Sequence, residues 1–138
     1  MWCTRTGKLD NEPDLIHADG LQLYLQRGTG PVEGWLVVPD PASDQLVVRA
    51  ISDTSSDPSL IEGRWMRTDT GYSLSLGIVQ DDWPPAPLEQ VRFDLLINQM
   101  EPGRRRRAGQ LVWSGGAGWV YLRGDRQSPA RFGRIEFA

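Results

Sequence analysis

Apolar residues recur at every second position along several stretches of this chain, and no window of about twelve residues carries a helical repeat. Leu21, Leu23 and Leu25 alternate with Gln22, Tyr24 and Gln26. Tyr72, Leu74, Leu76 and Ile78 alternate with Ser73, Ser75 and Gly77. Val91, Phe93, Leu95 and Ile97 alternate with Arg92, Asp94, Leu96 and Asn98. Successive side chains of an extended strand point to opposite faces, so each stretch reads as a strand with one apolar face. The 15 glycines and 10 prolines fall between these stretches. Short strands punctuated at intervals of about ten residues predict an all-β fold. The expected architecture is a two-sheet antiparallel β-sandwich, jelly-roll-like, of about nine strands.

Nine strands are expected at residues 21–26, 35–38, 45–51, 61–67, 72–78, 91–98, 110–114, 120–123 and 134–137, with residues 2–8 a further candidate. Asp69-Thr-Gly71 joins two of them as a hairpin. Asp81 to Pro87 is neither strand nor long helix, because its prolines remove backbone donors and fix φ. Residues 127–132 fit a single helical turn. The leucine face of 21–26 belongs to the core, and the Gln22/Tyr24/Gln26 face is wet or part of a polar binding surface.

One domain over residues 1–138 is the default for this length, alone or as part of a larger protein. The net charge of −3 argues against nucleic-acid binding, the basic run Arg104 to Arg107 being offset by acids elsewhere. No apolar run approaches the roughly 20 residues that span a membrane. The first residues lack the apolar stretch of a secretory signal. The single cysteine, Cys3, forms no disulfide within the chain.

Catalytic constellations are missing from the pattern. His17 and Cys3 are single copies, and no serine elbow, paired-cysteine metal spacing or phosphate loop is present. Asp81 and Asp82 point apart on an extended chain. A small-molecule enzyme with a site near His17 and Asp19 is the weakest reading, and a non-catalytic protein is expected. Asp10, Glu12, Asp14 and Asp19 are hard oxygen ligands close in sequence and form a candidate calcium set, although their spacing is not the helix–loop–helix pattern. No other cofactor is expected.

The six tryptophans are numerous for this length. Trp65 and Trp113 lie within strand patterns and read as core. Trp119, after a glycine-rich loop, and Trp83, in a proline loop, read as exposed. A sugar stacks its C–H face on an aromatic ring and takes hydrogen bonds at its edge from amides, carboxylates and guanidinium groups. Exposed tryptophan beside Asn, Gln and Arg suits a saccharide, and it also suits a protein interface.

Several segments resemble carbohydrate-binding module family 9. They run Gly71-Tyr-Ser-Leu-Ser-Leu-Gly-Ile78, Val91-Arg-Phe-Asp-Leu-Leu-Ile-Asn98, Gly103-Arg through Arg107-Ala-Gly-Gln-Leu-Val-Trp113-Ser, and Ser128-Pro-Ala-Arg-Phe132-Gly-Arg-Ile135. The segment His17-Ala-Asp-Gly-Leu-Gln-Leu-Tyr-Leu25 is similar to an earlier strand of that family. The resemblance implies a β-sandwich that holds a sugar between aromatic side chains, with calcium bound in many members. It places Trp119 near a stacking tryptophan and matches Asn98 to the residue that ends the central strand. It sets Arg107 and Trp113 in the turn and strand that follow, and Gln22 where an acid is common. The expected ligand-binding set is therefore Trp119, Trp83, Asn98, Gln22, Arg107 and Trp113.

The family's usual setting is bacterial and extracytoplasmic, and nothing in this chain speaks to its compartment. Set against the resemblance, the first strands of a full module are absent or compressed here, which would open a sheet edge to a second copy or to the rest of a larger protein. The alternative reading is a structural or protein-interaction module with no sugar ligand.

Overall fold

The computed structural model describes residues 19–51, 54, 56–79, 91–100, 109–114 and 129–135. Eight strands run through them: β1 (Gly20–Arg27), β2 (Val32–Pro39), β3 (Leu46–Ala50), β4 (Ile61–Thr68), β5 (Gly71–Ile78), β6 (Val91–Gln99), β7 (Gly109–Val112) and β8 (Gly133–Arg134). The large sheet has the order β3-β2-β1-β6-β7, with β8 also paired to β6. β4 and β5 form a second, two-stranded sheet. Every pairing is antiparallel, so the fold is all-β. The strands expected at 2–8 and 120–123 and the proline-rich connector lie outside the described residues.

β1 sits at the centre because both of its faces can be buried. Leu21 and Leu25 face the β4–β5 hairpin and pack with Trp35, Val37, Leu60, Ile61 and Val91. Leu74, Leu76 and Ile78 of β5 close over this layer. The indole of Trp35 is fully enclosed, and its N–H donates to the Asp57 carbonyl at 2.8 Å. Truncating a buried tryptophan to alanine costs about 3–5 kcal/mol, so this side chain is a main anchor of the layer.

The opposite face of β1 corrects the expectation of a wet or ligand-facing surface. Gln22 and Tyr24 are both 0% exposed. Tyr24 joins Leu36, Val38, Ile51, Leu96 and Phe132 in a second core. An amide can enter such a core only if it is hydrogen-bonded. The Gln22 amide N–H donates to the Tyr24 hydroxyl at 3.0 Å, and its carbonyl accepts from the Asn98 amide at 3.3 Å. Local pattern shows polarity, but it does not show that neighbouring strands supply partners for it.

β2 is longer than the 35–38 run its apolar residues suggest. Glu33 hides its start, yet the Arg27 guanidinium neutralises it, Nε donating to Oε2 at 2.8 Å. β1 and β2 are joined by a tight turn in which Gly28 takes a φ of 56°, a left-handed conformation that glycine adopts without strain. The β4–β5 hairpin pairs from Ile61↔Ile78 to Thr68↔Gly71, as the Asp69-Thr-Gly71 signal predicts. Pro129–Arg131 forms the expected single helical turn, of 3-10 type. β8 is shorter than the expected closing strand, and Phe137 lies outside the described residues.

Candidate functional site

Antiparallel pairing of β1 with β6 sets Gly20 opposite Asn98, so Asp19 and Met100 meet at the same end of the sheet. The Asp19 carboxylate is buried, and its Oδ1 accepts the Met100 N–H at 2.7 Å. The turn between β4 and β5 leans over this end. Together they form a cleft of about 550 Å³ whose walls include Asp19, Trp65, Arg67, Thr68, Thr70, Tyr72, Asn98 and Gln99.

The wall chemistry is mixed. Tyr72 is half-buried and carries the aromatic face. Trp65 is buried and anchored, its indole N–H donating to the Asp40 carbonyl at 3.0 Å, which agrees with a core role. The Tyr72 phenol keeps its proton more tightly than an ordinary tyrosine. Burial is the larger cause and the negative charge of Asp19 the second. The phenol therefore senses the carboxylate within the cleft.

Tyr72, Ile97 and Gly71 also belong to a neighbouring apolar groove of about 600 Å³, lined further by Leu21, Leu74, Leu76 and Leu95. The polar cleft thus runs into an apolar channel between the two sheets. Carboxylate, guanidinium, hydroxyl and aromatic groups around one opening can receive a hydroxyl-rich ring on its C–H face and at its edge.

The sequence-predicted residues separate. Asn98 reaches the cleft wall, although it is 1% exposed and its amide serves the internal network with Gln22. Gln22 is enclosed in the core, and its burial does not fit the edge contact to a ligand expected of it. Asp19 lies in the cleft, as a hydrogen-bond acceptor for the backbone. Trp119, Trp83, Arg107, Asp10, Glu12, Asp14 and His17 lie outside the described residues. Among the described residues, no group of three or more His, Cys, Asp or Glu side chains converges for a metal ion.

Trp113 is at a different place. Expected as core, it is 64% exposed, and its ring lies 5.6 Å from that of Phe93 with a tilt of 33°. A Cβ on Gly133 would come within 3.1 Å of both Phe93 Cε1 and Trp113 Nε1, so glycine is what lets the indole settle there. Leu111 and Ile97, 68% and 39% exposed, lie in register beside it on the same face.

Sequence reasoning missed Tyr72, Arg67 and Thr68 as cleft residues. The signal was available in the polar turn Asp69–Thr70 beside an aromatic strand residue, yet alternation alone assigns Tyr72 to the core face.

No family model, curated protein or solved structure matches the chain.

Proposed function

We propose that the chain is a non-catalytic module that binds a saccharide in the cleft between the β4–β5 turn and the ends of β1 and β6. One observation carries the reading: Tyr72 offers an aromatic face within the same opening as the Asp19 carboxylate, the Arg67 guanidinium and the Thr68 and Thr70 hydroxyls. Sugar recognition needs that combination, because the ring is apolar on its faces and polar around its edge. The family 9 motifs support the same class of ligand and add Trp119 as a stacking residue. Weak binding is expected from a cleft this open.

The test is intrinsic fluorescence and calorimetry with a panel of mono- and oligosaccharides, on the native chain and on Tyr72→Ala, Arg67→Ala and Trp119→Ala. Saturable binding that Tyr72→Ala and Arg67→Ala abolish supports the cleft. Binding lost only in Trp119→Ala moves the site elsewhere. No response across the panel rejects the sugar reading.

A second reading has its own observation. Among the described residues, Ile97, Leu111 and Trp113 form an exposed apolar strip. Strips of this kind mark protein contacts. A chain that ignores sugars but self-associates or captures its parent protein, and loses this in Leu111→Lys with Trp113→Lys, would be an interaction module.

A further inference from the structure

The polar cleft and the apolar groove meet at Tyr72 and Ile97, which line both. Strand register explains the junction. Leu21 stands opposite Ile97 and Leu23 opposite Leu95, so β1 and β6 share one apolar face. On β5, Tyr72, Leu74 and Leu76 alternate along the strand and so share its inward face. The hairpin lays β5 against β1 and β6 without sealing them. Leu74, Leu76 and Leu95 stay partly exposed, and Ile97 is exposed. A groove of about 600 Å³ remains between the sheets, and among the described residues its walls carry no charged side chain. From Tyr72 to Leu76 the strand advances about 13 Å. Facing sheets stand about 10 Å apart, so a gap between their side chains admits a slender chain and not a folded partner.

Resting on the saccharide reading, we infer that the ligand is an amphiphile: a sugar carrying a hydrocarbon tail, such as an alkyl or acyl glycoside, bound as a single molecule. The sugar occupies the polar cleft, and the tail runs from Tyr72 along the groove between β5 and β6. Leucine and isoleucine walls offer a sugar hydroxyl no hydrogen bond, so the groove does not suit a second sugar ring. A sugar bound alone would leave these walls facing water. Open apolar surface of this kind marks ligand grooves, and a tail laid against it removes both surfaces from water. The ring of Tyr72 stands where the ligand changes from hydroxylated to apolar. An aromatic side chain with a polar tip suits that boundary.

The experiment is calorimetry with methyl, hexyl and octyl glycosides of glucose, galactose and mannose, held below their micelle-forming concentrations. The matching alcohols serve as tails without a sugar. The expected result is tighter binding as the tail lengthens, by up to about fourfold for each fully buried methylene, with the alcohols far weaker. Leu76 lines the groove and not the polar cleft, so Leu76→Asn should flatten the dependence on tail length. If that variant fails to fold, the tail series on the native chain decides alone. Affinity that ignores tail length, as it would if another segment of the chain or a second copy lay in the groove, overturns the inference and leaves the saccharide reading standing. Alcohols that bind as tightly as the glycosides overturn the joined site. Failure of every glycoside to bind overturns both the inference and the saccharide reading.

Discussion

Asp94 grips Ser114 with both carboxylate oxygens: Oδ1 accepts the Ser114 backbone N–H at 3.0 Å and Oδ2 accepts its hydroxyl at 2.8 Å. Oδ1 also accepts the Leu95 N–H at 2.9 Å. Asp94 is 1% exposed, so this is a buried charge whose partners all come from the sheet end next to Trp113. The Trp113-Ser114 pair leaves β7 in a turn fixed by that carboxylate. Removing the acceptor takes a partner from two backbone N–H groups, those of Leu95 and Ser114, and from the Ser114 hydroxyl, and hydrogen bonds to a charged group are worth about 1.5–3 kcal/mol each. Asp94→Ala should therefore destabilise the fold by about 3 kcal/mol, and Asp94→Asn by less, because one carbonyl oxygen remains. Urea unfolding measures the loss, and a red shift of Trp113 emission would accompany it. Equal stability of native and Asp94→Ala chains would show that the clamp contributes nothing.

The Phe93–Trp113 contact makes a second prediction through Gly133. A methyl group there presses on both rings at 3.1 Å. Overpacking costs about 1–3 kcal/mol in a rigid site. Trp113 is free on its outer side and can lift, so Gly133→Ala should cost only about 1 kcal/mol while visibly changing the tryptophan emission and its quenching by acrylamide. A loss of several kcal/mol with unchanged emission would place the strain in the backbone of β8 instead.

Fold and site were legible to different degrees. Alternation located β1, β5 and β6 because each keeps one unbroken apolar face, and Asp69-Thr-Gly71 located the hairpin turn. Alternation did not reveal that the polar face of β1 is buried, since the partners that satisfy Gln22 come partly from Asn98, 76 residues away. Nor did it reveal Trp113 as exposed. Its parity puts it on the apolar face of the sheet, but the two-stranded second sheet packs on Leu21, Leu25 and Trp35 and leaves the β6–β7 end of that face open. Asp19 was visible as an acid near a strand start. Its meeting with Tyr72 depends on which sheet end the hairpin turn covers, and no local pattern records that.

The buried amide pair supplies a third prediction. Gln22 connects Tyr24 to Asn98 across β1 and β6, and all three are enclosed. Gln22→Ala opens a cavity and withdraws a donor from the Tyr24 hydroxyl and an acceptor from the Asn98 amide. The expected cost is about 2–4 kcal/mol, larger than any surface glutamine would show. Chemical denaturation of this variant beside Gln45→Ala, an exposed glutamine, gives the comparison. A loss within about 0.5 kcal/mol for both would mean that Gln22 is solvated in solution.

Tyr72 yields the pH prediction. Its phenol is raised above the ordinary value of 10.0, by burial first and by the Asp19 charge second. The folded state thus holds the proton more tightly than the unfolded chain does. A group raised in this way contributes stability that is fully present below its unfolded pKa and lost as pH rises through its folded pKa. Stability should therefore fall on the alkaline side, beginning near pH 10. In Tyr72→Phe, which keeps the ring and removes the proton, that part of the fall should be absent. Spectrophotometric titration should show that the phenol removed in Tyr72→Phe ionises above the free value, and Asp19→Asn should bring it part of the way back. It should not return fully, because the larger cause, burial, remains. A phenol unchanged by Asp19→Asn would mean that the carboxylate and the ring do not share one cleft.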